Sequence, residues 1–210
     1  MKIVRNHSLA IVFDFGGVLF DWDPRYLYRQ FFPNDERALE DFLEDIDFNE
    51  WNRQQDIGRP FREAVVEKSR QFPQYAELIA LFDLRWEETL SGIIPQSVEI
   101  LERLYNSGYP LYALSNWSLE KFRIVRQRYD FLNWFDEIVI SGEAGLAKPD
   151  PELFRHFLKR VQREPRQCLF IDDAAANIAV ASDLGFRTVL FQSPQKLASD
   201  LSEAGILAAL

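Results

Sequence analysis

Two spacings of apolar residues divide the chain. Five short runs are apolar throughout and then turn polar or small: "LAIVFD" (9–14), "PLYALSN" (110–116), "EIVIS" (137–141), "CLFIDD" (168–173) and "RTVLF" (187–191). Each has strand length, carries β-branched and aromatic residues and does not alternate, which predicts strands covered on both faces. Between them apolar positions recur with helical period. "SVEILERLYNSG" (97–108) stops at Gly108, "SLEKFRIVRQRY" (118–129) starts on Ser118 as an N-cap, and "DPELFRHFLKRV" (150–161) and "AANIAVASDLG" (175–185) follow the same logic. Strand–helix alternation of this kind predicts an open parallel α/β sheet.

Residues 21–94 break the alternation. "RYLYRQFF", "ERALEDFLEDI", "FREAVVEKSRQF" and "YAELIALFDLRWEETL" all have helical spacing, and no strand-like run separates them. The expected organisation is an α/β core built from residues 1–20 and 95–210, with an all-helical cap, 21–94, inserted after the first strand. The hinges fall near 20–23 and 91–96, the latter holding "SGIIP".

Composition narrows the function. The 210 residues suffice for one core domain plus an insertion, and 47% hydrophobic with 27% charged residues is an ordinary globular mixture. A net charge of −9 argues against nucleic acid as a partner, and it means that an anionic ligand must be held by local positive charge. Cys168 is the single cysteine and reads as a buried strand thiol; no disulfide can form within the chain, which fits a cytoplasmic location. The first apolar run is cut by Asp14 and reads as neither a signal peptide nor a membrane span. His7 and His156 have no sequence partner that suggests a triad or a metal site, and read as structural or exposed.

Ligands of open parallel sheets bind beyond the carboxyl ends of the strands. Asp14, Ser115 with Asn116, and Asp172 with Asp173 all stand at such ends, and Lys148 follows the "EIVIS" strand in "GLAKPDP". Each has an ordinary explanation alone: a cap for the next helix, turn chemistry, a solvated loop lysine. Their convergence on one rim is what points to a site.

The segments "FDFGGVL", "LSNW", "AKPDP" and "FIDDAAAN" together resemble the haloacid dehalogenase-like superfamily, in the branch whose helical C1 cap follows the first strand, and the resemblance runs along nearly the whole chain. It implies a Rossmann-like core and an aspartyl-phosphate chemistry in which Asp14 is the nucleophile. Lys148 would neutralise charge, and Ser115 with the Asn116 backbone amide would hold the phosphoryl oxygens. Mg2+ would be bound by Asp14, the Gly16 carbonyl and one or both of Asp172 and Asp173. Asn177 would orient metal waters or Lys148, or simply bond along its helix face.

Most phosphatases of this superfamily carry a general acid two residues past the nucleophile, where this chain has Gly16. Gly16 and Gly17 also suit a tight turn. Three substitutes for the acid stay open: Asp21 or Asp23 reaching the site, a substrate with a good leaving group, or a reaction that needs no acid. The last is 2-haloacid dehalogenation without metal. That branch shares Asp14, Ser115, Asn116 and Lys148 but usually has hydroxyl or amide side chains at Asp172 and Asp173. A non-catalytic ligand-binding role is a third class of reading. "DFGGVLFDWD" also resembles a sugar-phosphate phosphatase subgroup, of the glucose 1-phosphate type, in which glycine at this place is a group feature. The expected partner is therefore a small phosphorylated metabolite, with neither nucleic acid nor membrane.

Substrate contacts are expected from the cap segment "NRQQDIGRPF" (52–61), where Arg53, Arg59 and Arg62 cluster, and from Trp22 and Trp117 beside the motifs. The alternatives are solvated cations and packing at the seam. Lys68, the single lysine of 21–94, lies in a helical stretch and lends little support to Schiff-base chemistry.

Overall fold

The computed structural model describes residues 7–208, so the first six and last two residues of the expected core lie outside it. The chain enters through β1 (Ala10–Phe13) and turns into β2 (Phe20–Trp22). Five helices follow: α1 (Pro24–Tyr28), α2 (Glu36–Asp45), α3 (Phe48–Asp56), α4 (Phe61–Gln71) and α5 (Ala76–Leu84). The chain returns through β3 (Leu90–Ile93) to α6 (Pro95–Asn106), β4 (Leu111–Ser115), α7 (Leu119–Arg128), β5 (Glu137–Ile140), α8 (Ser141–Ala144) and α9 (Pro151–Val161). It ends with β6 (Cys168–Asp172), α10 (Ala175–Asp183), β7 (Arg187–Leu190) and α11 (Pro194–Glu203).

Five strands form one sheet in the order β5-β4-β1-β6-β7, all neighbours parallel, as the strand–helix alternation predicts. Alternate residues of β1 face opposite sides. Ile11 and Phe13 join a large apolar cluster with α6, α7 and α11, while Ala10 and Val12 join a smaller one with α9 and α10. The expectation of two covered faces holds for the fully buried β1 and β6. It fails for β7, whose Arg187 and Leu190 are exposed, because an edge strand has a neighbour on one side only. Ser118 caps α7 as predicted, accepting from the Lys121 amide, and Cys168 is a buried free thiol. His7 is exposed and stacks on Tyr109.

The helical reading of the insertion holds between its ends, but the ends themselves are strands. β2 and β3 pair antiparallel, Phe20 opposite Ile93 and Asp21 opposite Gly92, at the places read as hinges. Strands of three and four residues are too short to show a period, and their pairing joins segments some 70 positions apart. The larger apolar cluster runs without interruption from Phe13 and Phe15 into Phe42, Trp51 and Phe82 of the insertion. Lys121 of α7 also donates to the Asp83 carbonyl of α5 at 3.0 Å. Among the described residues no helix is long and apolar enough to cross a membrane.

Candidate active site

β4, β1 and β6 are adjacent and parallel, so residues just past their carboxyl ends meet on one edge. Asp14 leaves β1 with its amide bonded to the Ile171 carbonyl at 2.9 Å, which sets it beside Asp172 at the end of β6. Lys148 arrives from the loop after α8. Its Nζ lies 2.9 Å from Asp14 Oδ2 and 2.6 Å from Asp172 Oδ2, with the lysine side chain only 1% exposed. Asn116 holds it there: the Asn116 amide donates to the Lys148 carbonyl at 2.9 Å, and its oxygen accepts from the Lys148 amide at 2.8 Å.

The three carboxylates at this edge differ in what they already bind. Asp172 is fully buried and accepts from Lys148, from the Ala174 amide at 2.8 Å and from Asn177 Nδ2 at 2.9 and 3.0 Å. Asn177 therefore orients Asp172 and, through it, Lys148. Asp14 accepts from the Phe15 amide at 2.7 Å. Asp173 is exposed. Ligand atoms of Asp14, Asp172 and Asp173 all lie within 4.8 Å of one another. The Ser115 hydroxyl helps to favour the charged form of Asp14, yet it is buried and makes no hydrogen bond of good geometry.

Burial pushes the Asp14 carboxyl up to about 7, against the pull of Lys148. Burial alone would lower the Lys148 pKa, but the facing Asp14 and Asp172 carboxylates outweigh it, and the ammonium is held above its ordinary value. Asp173, though exposed as a residue, has its carboxyl partly desolvated at the site, and this with the neighbouring Asp172 charge raises it too.

The two glycines after Asp14 play different parts. Gly17 has φ +69°, and a Cβ there would fall 2.1 Å from Asp173 Oδ2. Gly16 lies outside the left-handed region, and a Cβ there would meet no atom within 4 Å. Only Gly17 is demanded by the turn.

Gly16 opens into a cleft between the sheet edge and the insertion, enclosing about 420 Å³ of empty space counted to its open mouth. Asn116 and Ser118 line it from the core side. Its walls are aromatic, from Trp22, Phe61, Trp86 and Trp117, and among the described residues no lysine or arginine lines it. Among the described residues the buried Trp117 indole N–H has no acceptor. From α3 come Asn52 and Asp56, the second of which the sequence reading passed over. A signal was present: Asp56 ends a helical run just before Gly58, where the helix dipole disfavours an acid.

Other sequence candidates stand elsewhere. Arg59 binds Gln54 and Glu67 and does not line the cleft, and Arg53 pairs with Glu50. Asp21 accepts from the Tyr26 hydroxyl at 2.8 Å, and Asp23 caps α1 by accepting from the Arg25 amide at 2.8 Å. Lys68 donates to the Ile46 carbonyl at 2.8 Å.

A family model described as haloacid dehalogenase-like hydrolase matches residues 9–185. The chain is 25% identical to a sesquiterpene phosphatase of Aspergillus oryzae over 182 residues, covering 84% of this chain and 86% of that one. It is 27% identical to a D-ribitol-5-phosphate phosphatase of Bacteroides thetaiotaomicron over 197 residues, 85% of this chain and 89% of that one. A drimenol cyclase of Aspergillus calidoustus is 27% identical over 92% of this chain, which spans only 36% of that protein's length. Among solved structures, a HAD family enzyme of Bacteroides thetaiotaomicron in complex with magnesium and inorganic phosphate superposes with a TM-score of 0.67 at 25% identity, over 88% of this chain and 94% of that one.

Proposed function

Because the chain belongs to the haloacid dehalogenase-like hydrolase family, we propose that it is a magnesium-dependent phosphatase of a small phosphorylated metabolite, acting through an aspartyl-phosphate on Asp14. The observation that carries this reading is the buried Lys148 shared by Asp14 and Asp172, with a third carboxylate, Asp173, alongside. One ammonium leaves three carboxylates with excess negative charge, and an all-oxygen donor set of that kind suits a hard divalent cation. Asp14, Asp173, the Gly16 carbonyl and Asp172 would hold Mg2+, which when bound supplies positive charge to the phosphoryl group. The relative solved in complex with magnesium and inorganic phosphate supports magnesium as the cation.

The chain's own groups then have separate tasks. Asp14 attacks phosphorus. The Ser115 O–H and the Asn116 backbone N–H donate to the phosphoryl oxygens, where charge must be stabilised in the transition state. Lys148 neutralises Asp14 and the incoming anion, and the Asn116 side chain fixes the backbone that carries it. The helices α1–α5 serve as the cap, closing water out over an aromatic cleft.

The cleft also bears on the substrate. Among the described residues no lysine or arginine stands in its walls, which suits a leaving group with no second phosphate. Trp22 offers an aromatic wall and Asn52 an amide, a combination suited to a sugar, while Trp117 packs against Phe15, Phe20, Trp86 and Phe122 behind that wall. The likeness to a D-ribitol-5-phosphate phosphatase favours a sugar phosphate as well. The dehalogenase reading is weaker, since it leaves Asp173 without a purpose.

Phosphate release from a panel of sugar phosphates and p-nitrophenyl phosphate, with magnesium and with chelator, tests the reading beside an Asp14→Asn control. Release that needs magnesium and is lost in the control is expected. Halide release from 2-haloacids, with no phosphate release, would replace this reading by the dehalogenase one.

A further inference from the structure

Phosphoryl transfer to Asp14 leaves an alkoxide that needs a proton, and residue 16 has no side chain to give it. The fold does not forbid one: Gly16 has an ordinary φ and open space where a Cβ would stand. That space belongs to the cleft that also takes in Asp56. Building on the phosphatase reading, we propose that Asp56, brought by α3 from the insertion, is the general acid and base of this site.

Asp56 is held toward the cleft from both sides. Asn52, one helical turn earlier, donates to its Oδ2 at 3.0 Å, and the Ser118 backbone N–H acts on its carboxyl to favour the charged form. Ser141 Oγ donates to its backbone carbonyl at 2.5 Å, tying the end of α3 to the start of α8. A Cβ on the nearby Gly58 would come within 3.2 Å of the Gly142 carbonyl, so this loop sits directly on the core. Among the described residues no lysine or arginine forms an ion pair with Asp56; the flanking Arg53 and Arg59 pair with Glu50 and Glu67 instead. Asp14 is the charged group that acts on it, and the C-terminal end of the α3 dipole adds to the same effect. Burial and the Asp14 charge outweigh the Ser118 amide and push its carboxyl up to about 7, so near neutral pH it can both give and take a proton. The rival acids, Asp21 and Asp23, are committed to Tyr26 and to the α1 cap.

The proton then balances over both steps. As an Asp14 oxygen bonds to phosphorus, the P–O bond to the leaving group breaks and the Asp56 proton passes to that oxygen, which departs as an alcohol. Asp56, now a carboxylate, takes a proton from water as the water oxygen attacks the aspartyl-phosphate. The bond from phosphorus to Asp14 breaks, phosphate leaves, and both aspartates return to their starting states.

The test compares the whole chain with Asp56→Asn on two probes, an alkyl phosphate (glycerol 3-phosphate or a hit from the sugar panel) and p-nitrophenyl phosphate. General acid assistance is worth about 10²–10⁴-fold, so the variant should lose that much on the alkyl ester and under about tenfold on the activated one. The alkaline limb of its kcat/KM profile should also disappear. Gly16→Asp placed in the Asp56→Asn background should recover activity on the alkyl ester, which separates lost chemistry from lost folding. Equal losses on both probes, or no loss on either, would overturn the role of Asp56 while leaving the phosphatase reading intact. A wild-type chain silent toward both probes with magnesium would overturn both.

Discussion

Gly17 lies against Asp173 so closely that a Cβ on the glycine would fall 2.1 Å from Asp173 Oδ2 and 2.7 Å from its Cγ. The backbone after the candidate nucleophile is thereby fitted to a carboxylate of the neighbouring strand end. Gly17→Ala should cost about 1–2 kcal/mol from the positive φ alone and displace Asp173 as well. Gly16→Ala should be neutral or stabilising by about 0.4–1 kcal/mol, through the unfolded chain. Thermal melts of the two variants check this; equal destabilisation would contradict it.

Asp172 and Asp173 should respond differently to amidation. Asp172 is engaged by Lys148, Asn177 and Ala174, so Asp172→Asn should lower stability by about 2–3 kcal/mol, less than the ~3–5 kcal/mol of breaking a buried pair outright because Asp14 still faces the lysine. Asp173 is exposed, and Asp173→Asn should leave stability nearly unchanged. It should instead raise the magnesium concentration needed for half activity by roughly tenfold or more. Denaturant melts and magnesium titrations separate the two effects.

Asn116 is a positioning residue through its side chain, since both of its bonds go to the Lys148 backbone. Asn116→Ala should leave a buried N–H and C=O unpaired, at about 1–3 kcal/mol, and lower kcat more than it raises KM. Asn116→Asp keeps the acceptor for the Lys148 amide and should recover part of kcat. A change confined to KM would argue against the role.

The pH dependence of stability carries a sign. Asp56 has a folded pKa of about 7 against an ordinary 3.8, so between those values the folded state binds more protons than the unfolded one. Stability contributed by this group is present at low pH and is lost as pH rises from about 4 through 7. Asp56→Asn removes that loss. Its melting temperature relative to wild type should therefore rise between pH 4 and pH 8 in metal-free buffer; a constant offset would show that Asp56 does not titrate in this window.

Sequence alone determined the parallel sheet, because uninterrupted apolar runs such as "AIVF" and "CLFID" are what a doubly covered strand requires, whatever lies around them. It also placed Asp14, Ser115, Lys148 and Asp172 on one edge, since parallel strands put all their carboxyl ends together. The β2–β3 ribbon stayed hidden because three or four residues carry no period and the pairing is remote. The direction of Arg59, with several partners within reach along its own helix and loop, was equally invisible. Whether Gly16 was needed for the turn could be decided only from its φ and the empty space at its Cβ. Asp56 entered the site through packing: the end of α3 meets α8 and the start of α7, a contact between segments 62 and 85 residues apart. Local spacing reports which face of an element is apolar; which distant element comes to rest on it is decided by tertiary packing.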